Sequence, residues 1–205
     1  MLRGVWKWKD SMITVLTEKD YCVTAWSGGT TKQLAIAPEG AVYADRDFAW
    51  RLSSATVELE ESDFTALPDY MRIIAPLRGE MRLWHNGTGP IELQELELHR
   101  FDGGDDTHSA GKCTDYNLML RKGQWDGAAR AVKLAPGEET TVQTPAEVGS
   151  RAELLLYCVA GKCTVTLGTE KAELSQGETL RADAETFTLS ASAAAELMAA
   201  WAWRC

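Results

Sequence analysis

Histidine is scarce in this chain: His85, His99 and His108 are the only three. No two of them stand in an HxH or HxxxH arrangement. Small β proteins that hold a metal supply several imidazole or carboxylate ligands at close spacing, so no metal and no other cofactor is expected. Long hydrophobic runs are missing too. The nearest, Ala191 to Trp203, is short for a membrane span and is interrupted by Glu196. Residues 1–11 carry charges throughout and no apolar core, so no signal peptide is expected there. Met12 would make a natural start, and residues 1–11 read as an N-terminal extension. Basic charge is in deficit, with 21 Lys and Arg against 30 Asp and Glu and a net charge of −9. That argues against nucleic acid and anionic membrane as partners.

The five cysteines, Cys22, Cys113, Cys158, Cys163 and Cys205, make an odd set with no CxxC pair, which suits a reduced, cytoplasmic protein. Cys158 and Cys163 flank a turn at Ala160-Gly161 and read as small core residues rather than a clip. The GxxxxGK[ST] pattern is absent, which removes a nucleotide P-loop. The acids of the polar stretch Phe101 to Gly111 lack calcium-loop spacing, and that stretch reads as a solvated loop. Cys113, His108 and Asp115 lie close in sequence but have no oxyanion hole to make a nucleophilic triad.

What the chain does have is a long alternating stretch, Asp47 to Leu59, which predicts a central β-strand. Arg51, Ser53, Ala55, Val57 and Leu59 share one face. Thr56, Glu58 and Glu60 mark the other as wet at its far end, so Arg51 and Ser53 should point inward. An inward arginine is costly unless a carboxylate of the protein or an anionic ligand meets it. In the strand predicted at Thr114 to Arg121, Asp115, Asn117 and Met119 share a face, setting an acid and an amide beside that arginine. Trp26-Ser27-Gly28-Gly29-Thr30-Thr31-Lys32 reads as a Gly-rich turn, whose amides could form an anion nest near Thr30 and Lys32. From Gln124 onward the chain is turn-rich at Gly127 to Arg130. Short strands then recur at the rhythm of an all-β sandwich or barrel, with Ala193 to Trp203 as the last. Ile74 to Leu83 resembles Leu156 to Val165, a faint internal repeat in which a strand ends near a glycine and another resumes.

From about Met12 to the C-terminus, and most strongly before residue 125, the chain resembles the HutD/Ves family. The resemblance rests on Trp26 to Lys32, on Trp50-Arg51-Leu52-Ser53 with Ala55, on Phe101-Asp102-Gly103 and on Asp115 to Met119. The family's turn commonly reads Trp-x-Asn-Gly-Gly-Gly-x-Thr-Arg. This chain has one glycine fewer, Ser27 near the asparagine position and Lys32 for the arginine. The resemblance implies a cupin-like fold of two β-barrel halves. It also implies a link to histidine utilisation or to stress response, and binding of a formylglutamate-like intermediate.

The expected fold is all-β, a cupin-like double β-barrel with few short helices. Residues 12–125 would form a first barrel with the ligand site, and 126–205 a second, structural one. The expected function is metal-independent binding of a small carboxylate or amino-acid derivative, with a regulatory role. Arg51 and Lys32 would meet the carboxylate, and Thr30 and Ser53 would donate hydrogen bonds. Asp115 and Asn117 would orient the nitrogen-bearing end, with Trp50 or Trp26 as an apolar wall. Two rivals stay open: an isomerase or hydrolase with Asp115 as general base, and an interaction module using Trp6, Trp8 and Trp125. A homodimer also stays open as the assembly.

Overall fold

The computed structural model describes residues 13–148, 152–183 and 186–205. Residues 1–11, expected as an extension, lie outside them with Trp6 and Trp8. In chain order the strands of the first part are β1 (Ile13–Leu16), β2 (Cys22–Trp26), β3 (Gly29–Ala37), β4 (Trp50–Val57), β5 (Glu61–Asp63), β6 (Tyr70–Gly79), β7 (Met81–His85), β8 (Thr88–Leu93), β9 (His99–Asp102), β10 (Thr107–Ala110) and β11 (Cys113–Arg121). A 3₁₀ turn, Tyr43–Asp45, stands between β3 and β4. There follow β12 (Trp125–Leu134), β13 (Glu139–Gln143), β14 (Ala152–Ala160), β15 (Lys162–Leu167), β16 (Glu170–Ser175), β17 (Thr179–Asp183), β18 (Thr186–Ser190) and β19 (Ala195–Arg204).

These strands form four sheets. The first half pairs a six-stranded sheet, β2-β3-β4-β11-β6-β9, with a four-stranded one, β5-β10-β7-β8. The second pairs β1-β17-β14-β19-β12 with β13-β18-β15-β16. Strand β1 crosses over: residues 13–16, expected with the first half, hydrogen-bond to β17 in the second. The all-β expectation therefore holds. Among the described residues no helix is long and apolar enough to cross a membrane.

Alternation explains how the layers stack. Trp50 and Leu52 of β4, Ile73, Ala75 and Leu77 of β6, and Tyr116, Leu118 and Leu120 of β11 form one apolar face. It packs on Leu155, Val159, Met198, Ala200 and Ala202 of the second half. The alternate residues of β14 and β19, such as Leu154, Leu156, Ala199 and Trp201, turn the other way into the second half's own core. In the first half the inward face of β4 holds Arg51 and Ser53, as expected. Strand β4 ends at Val57, so Leu59 lies past it and is exposed rather than inward.

Two stretches read as loops are strands. Residues 101–111 contribute to β9 and β10, because backbone pairing with β6 and β7 outweighs their polar composition. Gly127 lies within the ten-residue β12, where a Cβ would stand 2.7 Å from Leu120 Cδ1 and 2.8 Å from the Trp201 carbonyl. It is a point of close packing, not a turn.

The faint repeat corresponds to one joint built twice. β6 passes to β7 at Gly79 (φ +84°), and β14 passes to β15 at Gly161 (φ +77°). A Cβ at either would collide with a backbone carbonyl, of Lys112 at 2.5 Å or of Ala194 at 2.4 Å. Cys158 and Cys163 beside the second joint are buried and unbridged.

If the shared apolar face holds the two halves together, Leu118→Ala should cost about 2–5 kcal/mol in denaturant unfolding. A substitution of exposed Val23 should cost under ~0.5 kcal/mol.

Candidate functional site

The inward face of the six-stranded sheet is where the chemistry collects. Arg51 is 6% exposed and Arg72, its counterpart on β6, is also 6% exposed. Arg51 donates from Nε to Gln33 Oε1 at 2.9 Å and from Nη1 to Ser53 Oγ at 3.1 Å. Its guanidinium lies 4.3 Å from the centre of the Tyr43 ring. Gln33 reaches it because β3 pairs Gln33 with Ser53, on the same inward face of β4 as Arg51, just before the register slips at Leu34. Arg72 makes one long hydrogen bond, 3.5 Å from Nε to Asn117 Oδ1. Its guanidinium lies 4.6 Å from the Phe64 ring centre and 5.2 Å from that of Phe101.

Asp115 is the acid of this group. The register of β11 against β6 shifts between Thr114 and Asp115, and on the β4 side Asp115 Oδ1 accepts the Ala55 backbone N–H at 2.9 Å. Among the described residues it forms no ion pair with either arginine. Arg51 Nη2 and both Nη groups of Arg72 have no protein acceptor there. The sealed, unpartnered side-chain polar atoms are instead Tyr116 Oη, Arg121 Nε and Trp201 Nε1. The guanidinium edges therefore open onto space that a water molecule can enter.

Burial dominates the electrostatics. It pushes the Asp115 carboxyl up to about 6, against the pull of the Ala55 amide, Arg72 and Arg51. It draws Arg72 down to about 10, opposed by Asp115 and Tyr43, while nearby Arg51 adds to the fall. It lowers Arg51 also. Both arginines remain cations at neutral pH, so this interior carries more positive than negative charge.

The structure brings together Arg51, Ser53, Asp115 and Asn117 of the expected set. It places the other three elsewhere. Trp50 is fully buried on the opposite face of β4 and donates from Nε1 to Glu153 at 3.3 Å, so it packs the two halves rather than walling the site. Lys32 pairs through Ser54, an even position, and its ammonium meets Glu18 at 2.5 Å on the half-exposed side of the sheet. Thr30 pairs through Thr56 and is exposed. Period two is the reason: one residue's difference in register reverses the face. Gln33, Arg72 and the rings of Tyr43, Phe64 and Phe101 were not foreseen. Arg72 carried the same signal as Arg51, a lone cation in an apolar strand.

Together, the fold and this lined interior define a cupin-like protein. A structure of the bacterial pirin YhhW from Escherichia coli, in complex with nickel(II), superposes with a TM-score of 0.68 at 11% identity, over 93% of this chain and 98% of that one. A family profile, HutD, matches residues 18–199, and the chain belongs to the HutD family. PA5104, a conserved protein of unknown function from Pseudomonas aeruginosa PAO1, superposes with a TM-score of 0.79 at 24% identity, over 94% of this chain and 99% of that one. HutD from Pseudomonas fluorescens SBW25 gives 0.71 at 21% identity, over 94% and 99%. A search of curated proteins finds no match.

The Asp115 shift has a stability consequence. Its folded value of about 6 lies above the ordinary 3.8, so the folded state holds the proton more tightly than the unfolded chain. Stability should then rise as pH falls from about 6 toward 4, and the ionised carboxylate should cost about 3 kcal/mol at pH 7. Asp115→Asn should recover up to about that much at pH 7 and nothing near pH 4, measured by urea unfolding across pH.

Proposed function

We propose that the protein binds a small carboxylate of the amino-acid-derived, formylglutamate-like kind between Arg51 and Arg72. Its occupancy would serve a regulatory role in metabolism or stress response. One observation carries this reading: two buried guanidiniums face one carboxylate that neither contacts, with Nη donors lacking any protein acceptor among the described residues. Burying such donors costs several kcal/mol unless an acceptor arrives, and a carboxylate matches their fork. Asp115 and Asn117 offer an acceptor and an amide to the nitrogen-bearing end of such a ligand. The aromatic rings of Phe64, Phe101 and Tyr43 shield the arginine faces from water. The free thiols, with Cys22 and Cys205 exposed, suit a reducing, cytoplasmic setting.

A second reading, an enzyme with Asp115 as general base, draws on one observation: a carboxyl near 6 is matched to proton abstraction close to neutral pH. Turnover of a bound acid that is lost in Asp115→Asn while binding persists would establish it. Binding without turnover favours the first reading.

The experiment is a thermal-shift and calorimetric series with formate, acetate, succinate, glutamate and N-formylglutamate. The HutD structure from Pseudomonas fluorescens is of a formate condition, which makes formate a natural first probe. At least one acid should raise the melting temperature in a concentration-dependent way. Arg51→Met or Arg72→Met should weaken that acid roughly 10- to 100-fold, the worth of a charge-assisted bond. Lys32→Met should leave it unchanged. For acids without nitrogen, such as formate and acetate, affinity should rise as pH falls through about 6, because protonating Asp115 removes a negative charge beside the ligand. If no acid binds, or the arginine variants bind equally well, the reading fails.

A further inference from the structure

We propose that His85 and His99 together form a binding site for a divalent transition-metal ion of the imidazole-preferring kind: zinc, nickel or copper. The spacing of the histidines in the chain conceals this pair, and the fold assembles it. His85 ends β7 in the four-stranded sheet, and His99 opens β9 at the edge of the six-stranded one. Their Nε2 atoms lie 3.0 Å apart, and their rings stack with centroids separated by 5.1 Å. Both are half-buried, and Phe101 packs 4.6 Å from His85 and 5.8 Å from His99.

The hydrogen bonds accommodate a proton arrangement that suits a metal. In it Thr107 Oγ1 donates its one proton to the Asp105 carbonyl at 3.3 Å and accepts from His85 Nδ1–H at 2.9 Å. His85 Nε2 is then the lone-pair nitrogen, and His99 Nε2–H donates to it. A metal ion takes His85 Nε2 as it stands. His99 follows by moving its proton to Nδ1, which has no protein partner among the described residues, so no net proton is released. Metal–nitrogen bonds of about 2.0–2.1 Å at a tetrahedral angle put two nitrogens ~3.3 Å apart, so the rings need part by only a few tenths of an ångström. The Thr107 contact is the outer bond that typically fixes a ligating imidazole.

The surroundings favour the neutral form of both rings. Burial lowers His85, with Arg72 adding to the fall and Asp105 opposing it. Burial and His85 lower His99. Among the described residues no third His, Cys, Asp or Glu completes the set. Water or an anionic ligand fills the remaining positions, and the carboxylate-bearing ligand of the neighbouring arginines is one such anion. The metal site stands on the imidazole geometry alone and is independent of the carboxylate reading.

The test is calorimetric titration of the full chain, stripped of metal with EDTA, using zinc chloride and then nickel chloride. One equivalent per chain should bind, and magnesium chloride should give no binding. His85→Gln and His99→Gln, one on each sheet, should each weaken zinc at least tenfold, and Thr107→Val by about tenfold. The exposed His108, which sits 2.8 Å from Asp63, and the exposed thiols of Cys22 and Cys205 are the competing sites. His108→Gln, Cys22→Ser and Cys205→Ser should leave zinc binding unchanged. In the folded wild-type chain, the NMR resonances of both Nε2 nitrogens should move on zinc addition. Absent binding, binding unaffected by both histidine variants, or unmoved imidazole resonances would overturn the proposal. The NMR arm decides the matter even where a variant fails to fold.

Discussion

Two guanidinium groups inside the first half, Arg51 and Arg72, set the condition that its surrounding residues must meet. Moving an arginine out of water is costly, and a nearby carboxylate normally offsets that cost by direct contact. Here Asp115 is held off instead, fixed through Oδ1 by the Ala55 amide. Gln33, Ser53 and Asn117 satisfy only part of the donor capacity. Aromatic rings cover the faces and leave the edges open. Replacing buried charges of this kind with well-packed apolar residues is often neutral or stabilising.

The site depends on a division of labour across one pleated sheet. Strands β4, β6 and β11 are buried on both faces, so successive residues alternate between two duties. Trp50, Leu52, Ile73, Leu118 and Leu120 join the halves, while Arg51, Ser53, Arg72, Asn117 and Asp115 turn inward. The register shifts after Gln33, against β4, and before Asp115, against β6, leave the packed face continuous. Packing of the outer face thereby holds the site's backbone rigid.

The second half shows the same joint and layer order without the charge. Its interior is Leu154, Leu156, Leu180, Leu197, Phe187 and Trp201, a closed apolar core. Its sheet takes in β1 from the chain's start, so the two halves are tied by backbone pairing as well as by apolar contact. Among the described residues the buried arginines and the buried aspartate all lie in the first half.

Much of this was legible in the residues. Alternation at 47–59 and 114–121 placed Arg51, Ser53, Asp115 and Asn117 on inward faces, and the short-strand rhythm after Gln124 announced an all-β second half. Those are properties of local period, which one strand carries by itself. The face of Lys32 and Thr30, the use of Trp50 as a seam residue, and the meeting of Gln33 with Arg51 depend on register between strands. The meeting of His85 with His99 depends on how two sheets close over each other. Neither register across a bulge nor sheet-to-sheet contact is written in a single strand's pattern. The chain thus determined by itself which strands form and which residues point together, and tertiary packing alone decided which of those faces gathers the two arginines and the carboxylate of the candidate site.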